Sequence, residues 1–235
     1  MAGRIAYYGN TVTNGLVLSL DAAKRDSYPG SGTAWRDISG NGINGTLTNG
    51  PTFNSDNGGS IVFDGVDDYV NNGNITNSIV NQASLNIWIY TSQTESQYIN
   101  YVFSMSNFSV WVGGTFSSAN IAAKSIGLAI NSLALVSSAV PNSFTTTDYN
   151  KWNNICVVYD STNGASIYKN TVLLSMLTNN ASGSLSSSLS LNIGRRNDDF
   201  WYWNGRVSNV QLYNRALSAQ EVLQNYNAVK SRYGL

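Results

Sequence analysis

The sequence predicts an all-β fold, two antiparallel sheets closed face to face as a sandwich, with one short helix at the C-terminus. Three observations predict it. Apolar and polar side chains alternate in short runs of about four to eight residues, the pattern of half-buried strands. Asn-Gly pairs beginning at Asn14, Asn41, Asn44, Asn49, Asn57, Asn72, Asn163 and Asn204 punctuate those runs. Both residues tolerate the positive φ that tight turns require. Helical spacing of apolar residues occurs in one place, near the C-terminus. The length of 235 residues fits a single sandwich domain, since such folds run to about 200–250 residues.

The strands follow in order. Gly15 to Asp21 puts Leu16, Leu18 and Leu20 on one face. Ser60 to Phe63 and Tyr69 to Asn71 flank the turn Asp64-Gly65-Val66-Asp67-Asp68. Ser84 to Thr91 sets Leu85, Ile87 and Ile89 against Trp88 and Tyr90 on the opposite face. Tyr98 to Met105 and Phe108 to Val112 read as a meander. Ser125 to Asn131, Trp152 to Tyr159, Ala165 to Lys169 and Val172 to Met176 come next, with a hairpin over Asp160 to Gly164. Leu189 to Gly194 and Gly205 to Tyr213 complete the set. Only three prolines occur, so few strands are forced to sheet edges.

Ser218-Ala219-Gln220-Glu221 is a capping box that starts the helix, the serine accepting from the first turn and the glutamate reaching back. Val222, Leu223, Tyr226 and Val229 make its apolar stripe, and Gly234 stops it. Residues 1–14 lack clean periodicity and carry the pair Tyr7 and Tyr8. They read either as an arm that docks on a neighbour or as a frayed terminus; the domain proper is 15–235. Ser182 to Ser188 reads as a flexible loop.

Composition excludes several function classes. Charged residues are 11% of the chain, with Lys+Arg and Asp+Glu at 13 each. A nucleic-acid surface needs clustered cation excess, so nucleic acid is not an expected partner. No run approaches the roughly 18 apolar residues of a membrane span. The N-terminus shows no apolar signal-peptide core, so the chain is expected to be made in the cytoplasm. The sole cysteine, Cys156, sits in the apolar run Ile155 to Val158; with no partner for a disulfide it reads as a small buried hydrophobe.

Three stretches, taken together, carry a resemblance. Gly15-Leu-Val-Leu-Ser-Leu-Asp21 precedes Trp35-Arg-Asp-Ile-Ser-Gly-Asn-Gly-Ile-Asn-Gly45. Ser60-Ile-Val-Phe-Asp-Gly-Val-Asp-Asp-Tyr-Val70 is the second. Trp203-Asn-Gly-Arg-Val-Ser-Asn-Val-Gln-Leu-Tyr-Asn-Arg-Ala-Leu217-Ser218 runs into the terminal helix. The chain resembles the laminin G-like, concanavalin A-like jelly roll. With Gln224 to Gly234 added, it is similar to such domains in tailed-bacteriophage virion proteins. The resemblance implies a virion location, as capsid decoration or tail-associated protein. It implies other virion proteins, a homo-oligomer partner or a surface glycan as what the chain binds. A carbohydrate-binding or adhesion module of a bacterial surface protein is the alternative.

Catalysis is not expected. The chain has no histidine, which removes Ser-His-Asp, Cys-His and the usual zinc chemistry. The glucanases that share the jelly roll carry a Glu-x-Asp-x-Glu strand, and no such pattern occurs here. Glu95 and Glu221 stand alone. No cofactor is expected. Calcium is the one ion the resemblance admits, on Asp67 and Asp68, although Ca²⁺ wants six to eight oxygens; the simpler role for Asp68 is to cap a turn. Asp21 and Asp37 read likewise as carboxylates that fix loops. The densest cluster of charge and aromatics runs from Arg195 to Trp203. Arg195, Arg196, Asp198, Trp201, Tyr202 and Trp203 are the candidate ligand-binding residues, because aromatic faces stack on apolar ligand surfaces and arginine gives forked hydrogen bonds. The same stretch also reads as a loop with internal ion pairs, leading into a strand whose alternate aromatics point inward.

Overall fold

The strand-length alternation closes into two sheets in the computed structural model, which describes residues 10–75, 79–92, 99–105, 108–113, 125–130, 143–177, 185, 189–197 and 200–235. The strands are β1 (Leu16–Asp21), β2 (Ala34–Trp35), β3 (Gly45–Thr48), β4 (Thr52–Asn54), β5 (Ser60–Asp64), β6 (Tyr69–Ile75), β7 (Gln82–Tyr90) and β8 (Ile99–Met105). They continue with β9 (Phe108–Gly113), β10 (Ile126–Ile130), β11 (Trp152–Asp160), β12 (Gly164–Lys169), β13 (Val172–Leu177), β14 (Leu189–Ile193) and β15 (Asn204–Tyr213). The helix α1 spans Ala219–Val229. One sheet runs β13-β12-β11-β7-β15-β5-β4, with β1 beside β5 on the same edge of β15; the other runs β10-β9-β8-β14-β6-β3-β2. Among the described residues no helix is long and apolar enough to cross a membrane.

The interior follows from the period of two. Leu85, Ile87 and Ile89 of β7 face Phe103 of β8, Phe108 and Val110 of β9 and Leu191 of β14 within one apolar cluster. Each such side chain, fully buried, contributes about 1.5–3 kcal/mol. One reading changes. Leu18 and Leu20 enter this core, but Leu16 packs on the outer face of the sheet, because a bulge against β15 falls between Leu16 and Leu18. An extra residue in one strand flips the side chains beyond it.

The outer face of the larger sheet is apolar too, and α1 covers it. Trp88 is wholly buried there, its ring 4.2 Å from that of Tyr233 and 5.3 Å from that of Tyr226. Trp152 joins Tyr233 at 4.8 Å. A second cluster holds Cys156, Val158, Tyr213 and Val222. Also buried on this face is a row of amides: Asn154 Nδ2 donates to Asn86 Oδ1, and Asn86 Nδ2 donates to Gln211 Oε1, each at 2.9 Å. These bonds satisfy the buried oxygens of Asn86 and Gln211, while the buried Oδ1 of Asn154 accepts no hydrogen bond among the described residues.

Both ends of the helix are fastened. Ser218 and Glu221 form the expected capping box, and Arg215 grips both oxygens of Glu221 at 2.9 and 2.6 Å. Beyond the helix, Arg232 Nη1 donates to both oxygens of Asp21 at 2.8 and 2.9 Å, tying the C-terminus to β1. Residues 10–14 are stitched to the same helix and its approach. Buried Asn225 accepts from Val12 N at 2.8 Å and donates to Tyr213 Oη at 3.0 Å, while Tyr213 Oη donates to Val12 O at 3.0 Å. The part of the N-terminal arm that is described therefore packs on its own chain; residues 1–9, with Tyr7 and Tyr8, lie outside the described residues.

Two outcomes are expected. Asn225→Ala should cost about 1–3 kcal/mol, because buried groups on Val12 and Tyr213 lose their partner; chemical denaturation measures this. Arg215 holds the Glu221 carboxyl down at about 2, against an ordinary 4.5. A depressed carboxylate stabilises the fold above its ordinary range and loses that stabilisation as pH falls toward its folded value. Glu221→Gln should thus melt below the wild type at pH 7, and the two melting temperatures should converge near pH 2.

Candidate functional site

The segment between β14 and β15 leaves one sheet and enters the other, so it must cross an end of the sandwich. Four backbone hydrogen bonds fold it. Gly194 N reaches Val102 O at 3.1 Å, Trp203 N reaches Gly194 O at 2.7 Å, Arg196 N reaches Phe200 O at 3.1 Å, and Tyr101 N reaches Trp201 O at 3.1 Å. The last of these pins the segment to β8. Gly194 has φ +90°, and a Cβ there would lie 2.7 Å from the Phe63 ring, so only glycine fits. Asn197 fastens the loop from within, donating to Ser190 O at 3.0 Å and accepting from Asn192 Nδ2 at 2.7 Å.

The candidate residues separate by depth. Trp203 is 1% exposed and belongs to the core; it is interior and no ligand reaches its ring. Trp201 is half-buried on the outer face of the smaller sheet, packed on the cluster of Tyr101 and Trp111. It sits at φ +63°, a conformation bulky side chains rarely adopt and one that concentrates at functional sites. Arg196 lies 5.9 Å from the Trp201 ring centre and 5.7 Å from that of Tyr101. Arg195 instead stacks 3.5 Å over Tyr69. Tyr202 is half-buried, and Phe200, between them in sequence, is 62% exposed. Asp198 lies outside the described residues. Arg196, Phe200 and Trp201 thus form an aromatic and cationic ledge with Tyr101 and Trp111 as its floor.

The floor depends on one glycine. Trp111 and Gly127 are partners across β9 and β10, and a Cβ on Gly127 would fall 2.1 Å from the indole. The bare backbone lets the ring lie flat on the sheet. Sequence reasoning left Tyr101, Phe200 and Asn197 out of the site. The strand pattern alone leaves Trp111 either core or sheet-face; the structure puts it on the sheet face, since Phe108, Val110 and Val112 take the inward positions of β9.

The acidic turn lies at the same end, since Asp64 pairs with Asn204 at the start of β15. Asp64, Asp67 and Asp68 bring carboxylate oxygens within 4.8 Å of one another. Asp68 Oδ2 accepts from Asp64 N at 3.0 Å and Asp64 Oδ1 from Val66 N at 2.8 Å, so both carboxylates cap the turn. Burial, aided by the neighbouring carboxylates Asp64 and Asp67, pushes the Asp68 carboxyl up, against the pull of the Asp64 N–H. This trio is the group among the described residues that offers a hard cation several oxygens at once. Asp37 anchors its loop through Ser19 N, Ser39 N and Ile43 N, and Asp21 accepts from Ala23 N.

Of the two glutamates, Glu221 is committed to the helix cap and Glu95 lies outside the described residues. Cys156 is fully buried, and burial pushes its thiol up to about 12.

Comparison with known proteins adds a family and a set of folds. The family described as the concanavalin A-like lectin/glucanases superfamily matches residues 64–223, more than half of the chain. No curated protein matches by sequence. Among solved structures, domain 4 of the extracellular arabinanase AbnA from Geobacillus stearothermophilus, in complex with arabinotriose, is similar. It is 16% identical with a TM-score of 0.63, over 91% of this chain and 98% of that one. The binding domain of botulinum neurotoxin DC in complex with rat synaptotagmin II is 13% identical with a TM-score of 0.70, over 93% of this chain and 52% of that one. Trypanosoma rangeli sialidase with sialic acid is 13% identical with a TM-score of 0.62, over 93% of this chain and 33% of that one. The chain thus spans about half of the toxin binding domain and a third of the sialidase.

The environment of Cys156 has a direct check. A disulfide reagent at pH 8 should leave the native thiol untouched and titrate one thiol per chain once denaturant is added.

Proposed function

Because the chain belongs to the concanavalin A-like lectin/glucanase superfamily, we propose that it is a non-catalytic recognition module that binds a surface glycan through the ledge of Arg196, Phe200 and Trp201. The observation that carries this reading is Trp201. It is held at φ +63° with its ring against Tyr101 and Trp111, and such strain persists only where the surroundings hold it. Sugar rings offer apolar C–H faces to aromatics and hydroxyls to arginine. The AbnA domain solved with arabinotriose supports the ligand class, and the toxin domain solved with synaptotagmin II supports a receptor as the carrier.

The absence of histidine and the structural duties of Glu221, Asp21 and Asp37 support a module without catalysis. Glycosidases need a free facing pair of carboxylates about 5–9.5 Å apart, whereas Asp64 and Asp68 are tied into their turn.

We further propose that the module works on a bacteriophage particle, as capsid decoration or as a tail-associated protein in contact with other virion proteins. The likeness of Gly15–Asp21, Ser60–Val70 and Trp203–Ser218 to virion domains supports this. The alternative, a carbohydrate-binding module of a bacterial surface protein, draws its support from the arabinotriose-bound neighbour. Mass spectrometry of purified particles separates the two: the chain should be found in assembled virions, and its absence from them rejects the virion role.

The ledge is tested on a glycan array followed by titration calorimetry with each hit. Micromolar binding is expected, weakened about tenfold or more in Trp201→Ala, a loss of about 1.4 kcal/mol. Undiminished binding in that variant rejects the ledge. Trp203→Ala is not diagnostic, since emptying a core position destabilises by about 3–5 kcal/mol.

A further inference from the structure

The opposite end of the sandwich carries a second concavity of different chemistry. β15 begins beside the ledge and ends at Tyr213, and ten extended residues separate the two ends by roughly 30 Å. Just past that strand, Asn214 lines two adjoining clefts of about 570 and 560 Å³, each within the roughly 300–1,000 Å³ of small-molecule sites.

Amides line both. The first cleft takes Asn41, Asn44, Asn72 and Asn74 beside the apolar Leu16 and Ile43. The second takes Asn81, Gln82, Asn163 and Asp160 beside Val80. Among the described residues no lysine or arginine lines either one.

The first cleft is built in advance of any ligand. Asn41 Nδ2 donates to Leu16 O and Val17 O at 3.1 and 3.0 Å, and Asp37 holds Ile43 N at 3.1 Å, so the loop is pinned to β1. Gly45 leaves room behind it for Asn72, whose Nδ2 would lie 3.0 Å from a Cβ at that position. Asn72 is 5% exposed, donates to Ile43 O at 3.3 Å, and among the described residues its buried Oδ1 accepts no hydrogen bond. An unsatisfied buried acceptor is uncommon and asks for an explanation. Asn74, Asn81 and Asn214 are exposed, and among the described residues their side-chain amides have no partner.

The second cleft supplies a fixed carboxylate. Asp160 accepts from Thr162 N at 2.8 Å, Asn163 N at 3.1 Å and Gln82 Nε2 at 2.6 Å. These bonds, led by the Thr162 N–H, hold its carboxyl below the usual range, so it stays an acceptor at neutral pH.

We propose that the two clefts form one groove that binds a neutral oligosaccharide lengthwise across this end of the sandwich. A carboxamide presents a donor and an acceptor side by side, which suits adjacent hydroxyls that each give one hydrogen bond and take another. Among the described lining residues the one charge is negative, on Asp160, and none is cationic, so acidic sugars and phosphates are disfavoured. Leu16, Ile43 and Val80 give the C–H faces of sugar rings something to rest on. The groove stands independently of the ledge.

The test is an NMR titration of ¹⁵N-labelled protein with linear malto-, cello-, xylo- and arabino-oligosaccharides, read at the side-chain amides of Asn74, Asn81 and Asn214. At least one sugar should move all three together and saturably. Asn214→Ala, which touches both clefts, should weaken that binding about tenfold or more while melting like the wild type. Asn74→Ala should weaken it less, and Trp201→Ala should leave it unchanged. The proposal is overturned if no sugar in the panel moves these signals. It is equally overturned if only a Gly-Ser decapeptide moves them, or if Asn214→Ala binds as the wild type does. Loss in Trp201→Ala alone would assign the sugar to the ledge and reject the groove, so failure at one end reads separately from failure at the other.

Discussion

The strand β7 has no exposed face, and most of the architecture answers to that constraint. Its inward side chains Leu85, Ile87 and Ile89 fill the space between the sheets, while Asn86 and Trp88, pointing the other way, are just as completely buried. A sandwich strand ordinarily alternates apolar in and polar out. Here the outer face also needs a cover, and α1 with its following turn provides it. The capping box, the Arg215–Glu221 grip and the Arg232–Asp21 clasp all serve to keep that cover seated. The amides of Asn154, Asn86 and Gln211 are chained by hydrogen bonds beneath it.

Covering the back of one sheet leaves recognition to the rims and to the outer face of the other sheet. At one end the loop from Gly194 to Trp203 spends its odd aromatic on the core and turns Trp201 outward, with Tyr101 N bonded to Trp201 O. At the other end the polar side chains ahead of β3, along the end of β6, at the start of β7, at the end of β11 and just after β15 converge on two clefts. The first surface is aromatic and cationic, the second neutral and amide-rich. Different ligand chemistry follows from which side chains the strand ends happen to deliver, since strands fix the positions and loops supply the groups.

Much of this was legible in the sequence, and the exceptions have physical reasons. The long strands β7, β11 and β15 announce themselves through alternation, and the hairpin at Asp160–Gly164 forms as its turn residues require, with Asp160 paired to Gly164. The cap at Ser218 is equally plain. The strands β2, β3 and β4 escaped because two to four residues are too few to show a period. Leu16 changed sides through a bulge, which depends on its partner strand and leaves no local mark. Trp203 drew attention as a neighbour of Trp201, yet their two-residue spacing hides opposite fates: the segment crosses between sheets there, so strand parity does not carry across it. The floor of the ledge needed Gly127 to be found opposite Trp111, a pairing visible only once the strands are laid side by side.

The stitch between Asn225 and Val12 bears on mechanics. Residues ahead of Asn10 join the domain at a point already clamped to α1 by Asn225 and Gln224 and to the strand β15 by Tyr213. A tug on that end is therefore shared between helix and sheet before it reaches β1. A tether running from there would load the helix-covered layer beside the amide-lined rim, whose Gly15, Leu16 and Asn214 adjoin the clamp, and would leave the aromatic ledge at the far end of β15 away from the strain.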